Sequence, residues 1–449
     1  MDELALLADA DARARRFVAG CETRRAFPDA AAIAALAAFD EPLPEQGHSA
    51  ADTLAMLDSL GSAAAVGGNG PRYFGFVVGA SLPVAAAAER MVLAWDQSAS
   101  TALGAPGGAA IEAVAGRWLL EILDLPRESA VGFGTSASAC AIVCVTAARR
   151  TLLARHGWCF DKQGLAGAPE IKVIVSETAH VTMIKALRVL GFGTDRLLVA
   201  PTDSHGRIDT ARLPPLDDRT ILCLQAGEVN SGEFDPFREL VPAARAAGAW
   251  VHVDGAFGLW ARASAEARWL TDDVDGADSW TVDGHKWLNT PYDCAMAICR
   301  DSAALTGAMD SDASYSRAGP DAQKNRTLEF SRRARGVAIW AALRALGREG
   351  VAALVDRHRR QAGRLAEGLR DAGFTILNDV VLNQVLITIA DADRLTRVRE
   401  AAAASGVIWF GGTQWQGRPA ARLSVSSWRT SDADIETAIS LLSRLLRQA

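Results

Sequence analysis

The sequence predicts an α/β protein whose main body is a mostly parallel β-sheet covered by helices on both faces. Short apolar runs such as TILCLQ at 220–225 and WVHVD at 250–254 alternate with segments of helical periodicity. Each run ends in small or acidic residues, as strands do where they approach a ligand-binding edge. After about residue 305 the pattern changes to that of a smaller α+β domain. The 449 residues are too many for one simple core, which agrees with this division.

Residues 1–70 form the first predicted segment, an N-terminal helical arm. The segment is rich in alanine and amphipathic, it is interrupted at Pro42 and Pro44, and a glycine-rich turn at 67–70 closes it. An arm of this kind either packs on a partner subunit or caps its own domain. The sequence leaves both interpretations open.

Residues 71–305 form the predicted large domain. A glycine-rich loop at 132–140 leads into a long helix, and the strand IKVIVS leads into a helix that stops at Gly191. In open α/β sheets the ligand lies beyond the carboxyl ends of the strands. The polar residues expected at that edge are His180, Glu228, Asp254 and Lys286.

Residues 306–449 form the predicted small C-terminal domain. A long helical stretch begins at SRRARG, residues 331–336, and short apolar runs and a helix near 391–405 follow it. Ser431 is a candidate N-cap for the last helix, because Asp432 and Asp434 lie in the first turn.

Composition narrows the class of protein. The net charge of −6 and the pI of about 5.7 favour neither nucleic acid nor an anionic membrane as a partner. The N-terminus lacks the features of a signal peptide, and no window is expected to span a bilayer. The seven cysteines form no C-x-x-C pair and lie mostly in apolar runs, so we expect reduced core thiols, a cytoplasmic location and no metal site.

Lys286 lies in the stretch DSWTVDGHKWLNTPYDC, just after a predicted buried strand. Burial disfavours an ammonium ion and lowers a lysine pKa, which makes the amine a nucleophile that can form a Schiff base. Taken alone, however, the residue also fits a solvated lysine at a strand end.

Two further polar residues follow predicted strands. Asp254 ends the strand WVHVD, where a buried carboxylate needs a partner such as a pyridinium nitrogen. His180 follows the strand IKVIVS, and its flat imidazole is suited to stacking on an aromatic ring. Taken singly, Asp254 also fits a turn or helix N-cap, and His180 fits a core or turn histidine.

The segment GFGTSASAC, residues 132–140, combines glycine, hydroxyl side chains and the start of a helix. Backbone N–H groups at a helix N-terminus bind phosphate, and Ser136, Ala137 and Ser138 are the candidates here. Tight turns use the same residue types, so this segment is informative only in combination with the other candidates.

In combination, a phosphate loop, a histidine, a strand-end aspartate and a later lysine describe a pyridoxal phosphate site. The motifs HVDGAFG and DSWTVDGHKWLNTPYDC resemble the pyridoxal-phosphate-dependent group II decarboxylases, relatives of the aromatic amino acid and glutamate decarboxylases. The resemblance begins near PRYFGFVVGASLP and continues to ARLSVSSWRTSDADIE. It is specific to the family and not to a substrate.

The resemblance implies the fold of the aspartate aminotransferase superfamily (fold type I), with a seven-stranded sheet in the large domain, and a homodimer with sites at the subunit interface. Lys286 would form a Schiff base with pyridoxal 5'-phosphate, Asp254 would pair with the pyridine nitrogen, and His180 would stack on the ring; these three are the implied catalytic residues. The implied cofactor-binding residues are Ser136, Ala137, Ser138, His180, Asp254, His285 and Lys286. The implied substrate-side residues are Phe76, Thr101 from the other subunit, and Glu228.

The implied function is that of a lyase that decarboxylates an L-amino acid. Another carbon–carbon lyase, an aldehyde-forming enzyme and an aminotransferase on the same scaffold are the alternatives. A non-enzymatic binding protein is disfavoured, because it would leave an intact cofactor constellation idle.

The sequence departs from the family pattern at several positions. The segment AGPDAQKNRTLEF at 318–330 lacks the tyrosine with which related decarboxylases often protonate the product, and Tyr315 is the nearest substitute. Some relatives that lack this tyrosine release an aldehyde by oxidative chemistry. Asp283 replaces an asparagine of several relatives, and Glu228 either recognises a substrate amine or is a buried acid bonded to backbone. Arg429 either grips a substrate carboxylate or forms a structural salt bridge.

Overall fold

The structure of the protein is a computed structural model that describes residues 2–311, 319 and 321–449. The described residues form two compact units. The terminal unit comprises Met1–Ala80, Gln361–Leu377 and Gln384–Ala449, and the central unit comprises Ser81–Arg360 and Asn378–Asn383.

A mixed sheet forms the middle of the central unit, and seven of its strands lie in the described residues. They are β1 (Ala130–Gly134), β2 (Lys172–Ser176), β3 (Leu198–Ala200), β4 (Thr220–Gln225), β5 (Trp250–Asp254), β6 (Ser279–Asp283) and β7 (Ala295–Cys299). Their order is β1-β7-β6-β5-β4-β2-β3. Only β7 is antiparallel to its neighbours, so the remaining described strands point the same way. The predicted α/β fold with a mostly parallel sheet is confirmed.

The strands of this sheet are buried because they are apolar on both faces. Every residue of β1, β4, β6 and β7 is buried, as expected for a sheet covered by helices on both sides. One sequence interpretation is corrected here. Residues 132–134 were expected in a glycine-rich loop, but they are the end of β1, because they pair in antiparallel register with residues 295–297 of β7.

Helices of the central unit connect and cover these strands. They are α4 (Pro83–Trp95), α5 (Pro106–Ile122), α6 (Ala137–Arg155), α7 (Phe160–Gln163), α8 (Val181–Val189), α9 (Phe237–Ala246) and α10 (Ser302–Met309). Short 3-10 turns lie at Thr194–Arg196, Thr210–Arg212, Gly258–Ala263, Arg268–Thr271, Val274–Gly276 and Gln323–Asn325. A further helix, α11 (Gly336–Asp371), has a non-helical break at Gly347.

The sequence analysis expected no segment long and apolar enough to span a bilayer, and helix α6 corrects this expectation. By length and composition it passes the test for a membrane span. It packs, however, in an apolar cluster of the central unit, with residues of the sheet and of α8 and α10. A core helix of a soluble domain passes the same test, and its burial here agrees with that interpretation.

The terminal unit contains a smaller antiparallel sheet. Its described strands are β8 (Thr375–Ile376), β9 (Gln384–Thr388), β10 (Gly411–Trp415) and β11 (Arg418–Ser424), in the order β10-β11-β9-β8. Its helices are α1 (Glu3–Ala19), α2 (Ala30–Ala35) followed by a 3-10 turn (Leu36–Phe39), α3 (Ala50–Met56) followed by a π turn (Leu57–Ser62), α12 (Ala392–Ser405) and α13 (Asp432–Gln448). As predicted, Ser431 begins α13, in a capping box with Asp434.

The compact units divide the chain at different residues from the predicted segments 1–70, 71–305 and 306–449. Residues from two predicted segments pair with the C-terminal part within the terminal unit: Ala26 N–H donates to Gly406 O at 2.7 Å, and Phe74 N–H donates to Trp409 O at 2.8 Å. The three predicted segments therefore stay a prediction.

All seven cysteines are free thiols. Cys159 is exposed and the other six are buried. The expectation of reduced core cysteines is confirmed for positions 140, 144, 223, 294 and 299.

Candidate active site

The carboxyl ends of five parallel strands define one edge of the large sheet. At this edge β1 ends at Gly134, β2 at Ser176, β4 at Gln225, β5 at Asp254 and β6 at Asp283. The four polar residues that the sequence assigned to this edge follow β2, β4, β5 and β6 there. They are His180, Glu228, Asp254 and Lys286.

Lys286 lies in the turn after β6, and its amine faces two groups of the central unit. The Nζ atom is 3.4 Å from Oδ2 of Asp283. It also lies 5.8 Å from the centre of the Phe257 ring. The side chain is 21% exposed, so the amine is largely enclosed and still reachable.

Asp283 joins the lysine to the N-terminus of α6. Its Oδ1 accepts a hydrogen bond of 2.9 Å from the Ala137 N–H, and the residue is only 3% exposed. Sequence reasoning noted Asp283 as a departure but did not include it among the site residues. Its position just before the His-Lys pair was the signal that could have identified it.

The start of α6 has a free hydrogen-bond donor. Ser136 is the N-cap, and its Oγ accepts from the Ala139 N–H at 3.3 Å. Within the described part of the chain, no group accepts a hydrogen bond from the Ser138 N–H or hydroxyl. A Cβ atom at Gly134 would lie 2.9 Å from Cys140 Sγ, so only glycine fits before this cap. Unpaired donors at a helix N-terminus fit a phosphate group.

His285 is fixed in one orientation beside the lysine. Its Nδ1 lies 3.3 Å from Cys294 O, which can only accept, so Nδ1 carries a proton. The ring stacks on Tyr292 with centres 4.6 Å apart, and Nε2 is 3.8 Å from Asp283 Oδ2. Burial lowers the pKa of His285, although Asp283 raises it. The ring is therefore a neutral neighbour of Lys286 near pH 7.

Asp254 ends β5 between the strands that carry Gln225 and Thr281. Its Oδ1 accepts from the Ala256 N–H at 3.2 Å, which is a turn contact and leaves acceptor capacity on the carboxylate. Two nearby buried atoms, Thr281 Oγ1 and His252 Nε2, have no hydrogen-bond partner among the described residues. Burial lowers the pKa of His252 to about 4, so this ring is neutral.

His180 is the N-cap of α8. Its Nδ1 accepts from the Thr182 N–H at 3.3 Å and lies 2.6 Å from Thr182 Oγ1. Because Nδ1 is an acceptor, the neutral ring carries its proton on Nε2. The ring is half-buried at the functional edge, so the capping role and the predicted stacking role are compatible.

Glu228 is bound by its own loop. Its carboxylate accepts from the backbone N–H groups of Asn230 and Ser231, both at 2.6 Å, and from both of their side chains. The residue is 1% exposed, and burial raises its pKa against the effect of these hydrogen bonds. This geometry favours the buried structural acid over recognition of a substrate amine.

The other candidate residues lie outside this arrangement or remain untested. Thr101 is buried, and its Oγ1 accepts from the Leu103 N–H at 3.2 Å. Phe76 belongs to the terminal unit, has a positive φ of 53° and stacks on Trp409 with centres 5.7 Å apart. The roles of Thr101 and Phe76 toward a substrate stay predictions.

Arg429 and Tyr315 are the remaining residues that the sequence analysis singled out, and the structure describes only Arg429. Arg429 lies over the Trp428 ring at 4.5 Å and is 3.9 Å from Glu22, a loose contact with an exposed carboxylate. This contact agrees with the structural salt bridge rather than with a substrate clamp. Tyr315 lies outside the described residues.

Comparison with known proteins places this site in a family. Residues 63–389 match the model of the pyridoxal-dependent decarboxylase conserved domain. The chain is 28% identical over 304 residues to tryptophan decarboxylase 1 of Oryza sativa subsp. japonica, covering 62% of this chain and 58% of that protein. It is 25% identical over 365 residues to phenylacetaldehyde synthase of Arabidopsis thaliana, covering 74% and 73%.

A solved structure supports the fold. The crystal structure of Oryza sativa TDC with PLP and tryptamine superposes with a TM-score of 0.90 at 22% identity, over 99% of this chain and 97% of that one. The curated matches are shorter: the aligned segments span 58%, 65% and 54% of the first three relatives. The family match covers residues 63–389, and the structural match covers nearly the whole chain. The first three curated relatives are matched over less than two thirds of their own length, so their activities are not transferred to this chain here.

Proposed function

The chain belongs to the pyridoxal-dependent decarboxylase family, and from this premise we propose that it is a lyase that removes the α-carboxylate of an L-amino acid. One observation carries the proposal. The Lys286 amine, the Asp254 carboxylate and the unpaired N–H of Ser138 all lie at the same edge of the sheet. The amine is an attachment point, the carboxylate is a partner for a ring nitrogen, and the N–H is a hydrogen-bond donor for a phosphate.

Pyridoxal phosphate is the cofactor of this family, and the residues at this edge fit its three functional groups. When bound, it supplies an aldehyde that condenses with amines and a ring that withdraws electrons from a bond at Cα. Lys286 would hold the aldehyde carbon, Asp254 the ring nitrogen, and the segment Ser136–Ser138 the phosphate. The imidazole of His180 would lie against the ring.

The chain's own groups then set up the reaction. The carboxylate of Asp283 orients the Lys286 amine through their 3.4 Å contact. His180 carries its donor on Nε2, because Nδ1 accepts from Thr182. Burial lowers the pKa of His285, which disfavours a positive charge there that would repel the protonated ring nitrogen.

The proposed substrates are aromatic L-amino acids first and other L-amino acids second. The relatives named above point to indole and phenyl side chains by their names. The sequence-based hint of a basic substrate has lost its support, because the Glu228 oxygens are occupied by their own loop. A substrate amine would have to displace four hydrogen bonds to reach this carboxylate.

We also propose that the chain acts as a homodimer with its sites at the subunit interface, and that Thr101 serves the partner's site. The ordered loop around Thr101 supports this: Arg332 donates to Ala99 O at 2.9 Å and forms a buried ion pair of 2.7 Å with Glu112. A cytoplasmic location is likewise a proposal, which the free thiols support.

A second candidate function is oxidative release of an aldehyde. The observation that favours it is the absence of tyrosine in the sequence from 318 to 330. The balanced reaction consumes one dioxygen and one water per amino acid, and it yields an aldehyde, carbon dioxide, ammonia and hydrogen peroxide. The match to a relative named phenylacetaldehyde synthase also supports this candidate, because that name describes formation of an aldehyde.

The experiment is a screen of the purified holoenzyme against the twenty amino acids, beginning with tryptophan, tyrosine and phenylalanine. Carbon dioxide, amine, aldehyde and hydrogen peroxide are measured together. Carbon dioxide with an equal amount of amine supports the lyase, whereas peroxide with ammonia supports the second candidate. Keto acid without carbon dioxide would overturn both in favour of transamination, and Lys286→Ala serves as the blank.

A further inference from the structure

Three residues that the proposed reaction does not use come together on the central unit: His205, Glu233 and Asp379. One ligand atom from each lies within 4.8 Å of the other two. The Nδ1 atom of His205 is 3.2 Å from Oδ2 of Asp379. The three are far apart in the sequence, and for this reason residue spacing did not predict a metal site.

Glu233 is the residue that sets this cluster apart from an ordinary surface ion pair. It is only 6% exposed. Within the described residues its carboxylate has no hydrogen bond and no ion pair within 4.0 Å. Burial raises the pKa of this carboxyl, while Arg207 and His205 lower it. A desolvated carboxylate without a partner is costly unless a ligand completes its surroundings.

The Glu233 carboxylate faces an open cavity. The cavity has a volume of about 690 Å³, and Glu233 and Asp379 both line it. The nearby cation, Arg207, is already paired with Asp203 through a 2.8 Å contact. The cavity therefore offers access for an ion, and Arg207 and His205 offset the charge of Glu233 only by attraction without direct contact.

Hydrogen bonds hold the three segments that carry the ligand residues. Asp203 Oδ1 accepts from the His205 N–H at 2.8 Å. The Glu233 N–H donates to Ser231 Oγ at 3.3 Å, and Asn378 Nδ2 donates to Ser231 O at 2.7 Å. Two of the three ligand-bearing segments are thus bonded to the same serine, so the site is formed without requiring an ion to assemble it.

We propose that His205, Glu233 and Asp379 bind a divalent transition-metal ion, with Zn²⁺ as the best match. One imidazole and two carboxylates suit Zn²⁺, whereas Mg²⁺ and Ca²⁺ prefer oxygen ligands alone. Water would complete the coordination from the cavity. The ion would join the loop after β4 to the segment 378–383, so its role is structural and does not depend on the proposed reaction.

The test is a Zn²⁺ titration of the holoenzyme after treatment with EDTA and removal of the chelator, with a chromophoric competitor as the readout. Wild type is expected to bind one Zn²⁺ at this site, and E233Q and H205A are expected to bind it at least tenfold more weakly. E239Q is the matched control, because Glu239 lines the same cavity outside the cluster. H156A is the second control, since His156 lies 3.5 Å from Asp218 in an unrelated pair.

Folding of the variants is checked by thermal melting in EDTA, where E233Q should melt no lower than wild type because glutamine removes an unpaired buried charge. If E233Q does not fold, H205A and D379N decide the question. Co²⁺ binding gives an independent readout: wild type should show a visible d–d band that H205A lacks. Equal Zn²⁺ affinity in wild type, E233Q and H205A, or no binding by wild type, would overturn the proposal.

Discussion

The loops that follow β4 and β6 lie at the same edge of the large sheet, and each has a buried carboxylate: Glu228 lies in the loop after β4, and Asp283 is the last residue of β6. Glu228 accepts hydrogen bonds from two backbone N–H groups of its own loop. Asp283 instead accepts from the N-terminus of α6, 146 positions away in the sequence, and contacts the amine of Lys286. The difference teaches that burial at a functional edge does not identify a site residue, whereas the partner of the carboxylate does.

The largest expected effect is on the β6 side. Lys286→Ala should lower kcat by about 10⁴-fold or more, because the protein loses the amine that is proposed to hold the cofactor. Activity with the best substrate from the screen, and the visible absorbance of the cofactor, are the measurements. An arginine substitution at the same position controls for charge. If Lys286→Ala kept activity within tenfold of wild type, Lys286 would not be the amine that holds the cofactor.

Asp254, on the strand between the two loops, should have the next largest effect. Asp254→Ala should lower kcat by about 10²- to 10³-fold, because the ring nitrogen loses its charged partner. Asp254→Glu should recover part of the activity, which a purely structural role in the turn would not predict. The measurement is kcat with the protein saturated in cofactor, and an unchanged kcat in Asp254→Ala would contradict the assignment.

His252 lies on the same strand as Asp254 and is fully buried, so its titration should affect the stability of the fold. Its folded pKa of about 4 is below the ordinary value of 6.5, so the unfolded chain takes up a proton first as pH falls. The contribution to stability is complete above pH 6.5 and is lost toward pH 4, by on the order of 3 kcal/mol. Urea unfolding of wild type and His252→Gln at several pH values measures this.

In His252→Gln the fall in the urea midpoint between pH 6.5 and pH 4 should be smaller than in wild type. His156→Gln, at a part-exposed histidine, is the control and should follow wild type. Identical pH profiles for wild type and His252→Gln would show that this ring is not the titrating group.

The smallest expected effect is on cofactor affinity, and it compares the carboxylates of Asp283 and Glu228. Asp283→Asn should strengthen binding of pyridoxal phosphate about fivefold, because it removes a negative charge beside the start of α6. Glu228→Gln should leave this affinity unchanged. Both are compared in a Lys286→Ala background, so that only non-covalent binding is measured by fluorescence titration. Equal shifts in the two variants would contradict the comparison.

The sequence predicted the parts of this architecture that depend on local pattern. The runs that became β2, β4, β5 and β6 are short, carry buried apolar residues and each end in a polar residue. Helix α8 ends at Val189, two residues before Gly191, which has a φ of 80°. Ser431 could be assigned as an N-cap because hydroxyl and carboxylate groups stand at the right spacing. Each of these signals lies within a few residues of the feature that it predicts.

The features that were missed depend on contacts between distant residues. The strand character of residues 132–134 comes from pairing with β7, more than 160 positions later. The pairing of residues near 74 with residues near 409 within the terminal unit is equally remote in sequence. Glu228 and Asp283 look alike as strand-end acids, and only the turn geometry shows which one is saturated by its own loop.

The central claim is that Lys286 holds the cofactor covalently. Borohydride reduction of the holoenzyme, followed by proteolysis and mass spectrometry, tests it most directly. The account predicts a reduced pyridoxyl phosphate adduct on the peptide that contains Lys286, and on no other lysine. An adduct on a different lysine, or an unmodified Lys286 peptide from fully loaded enzyme, would contradict it.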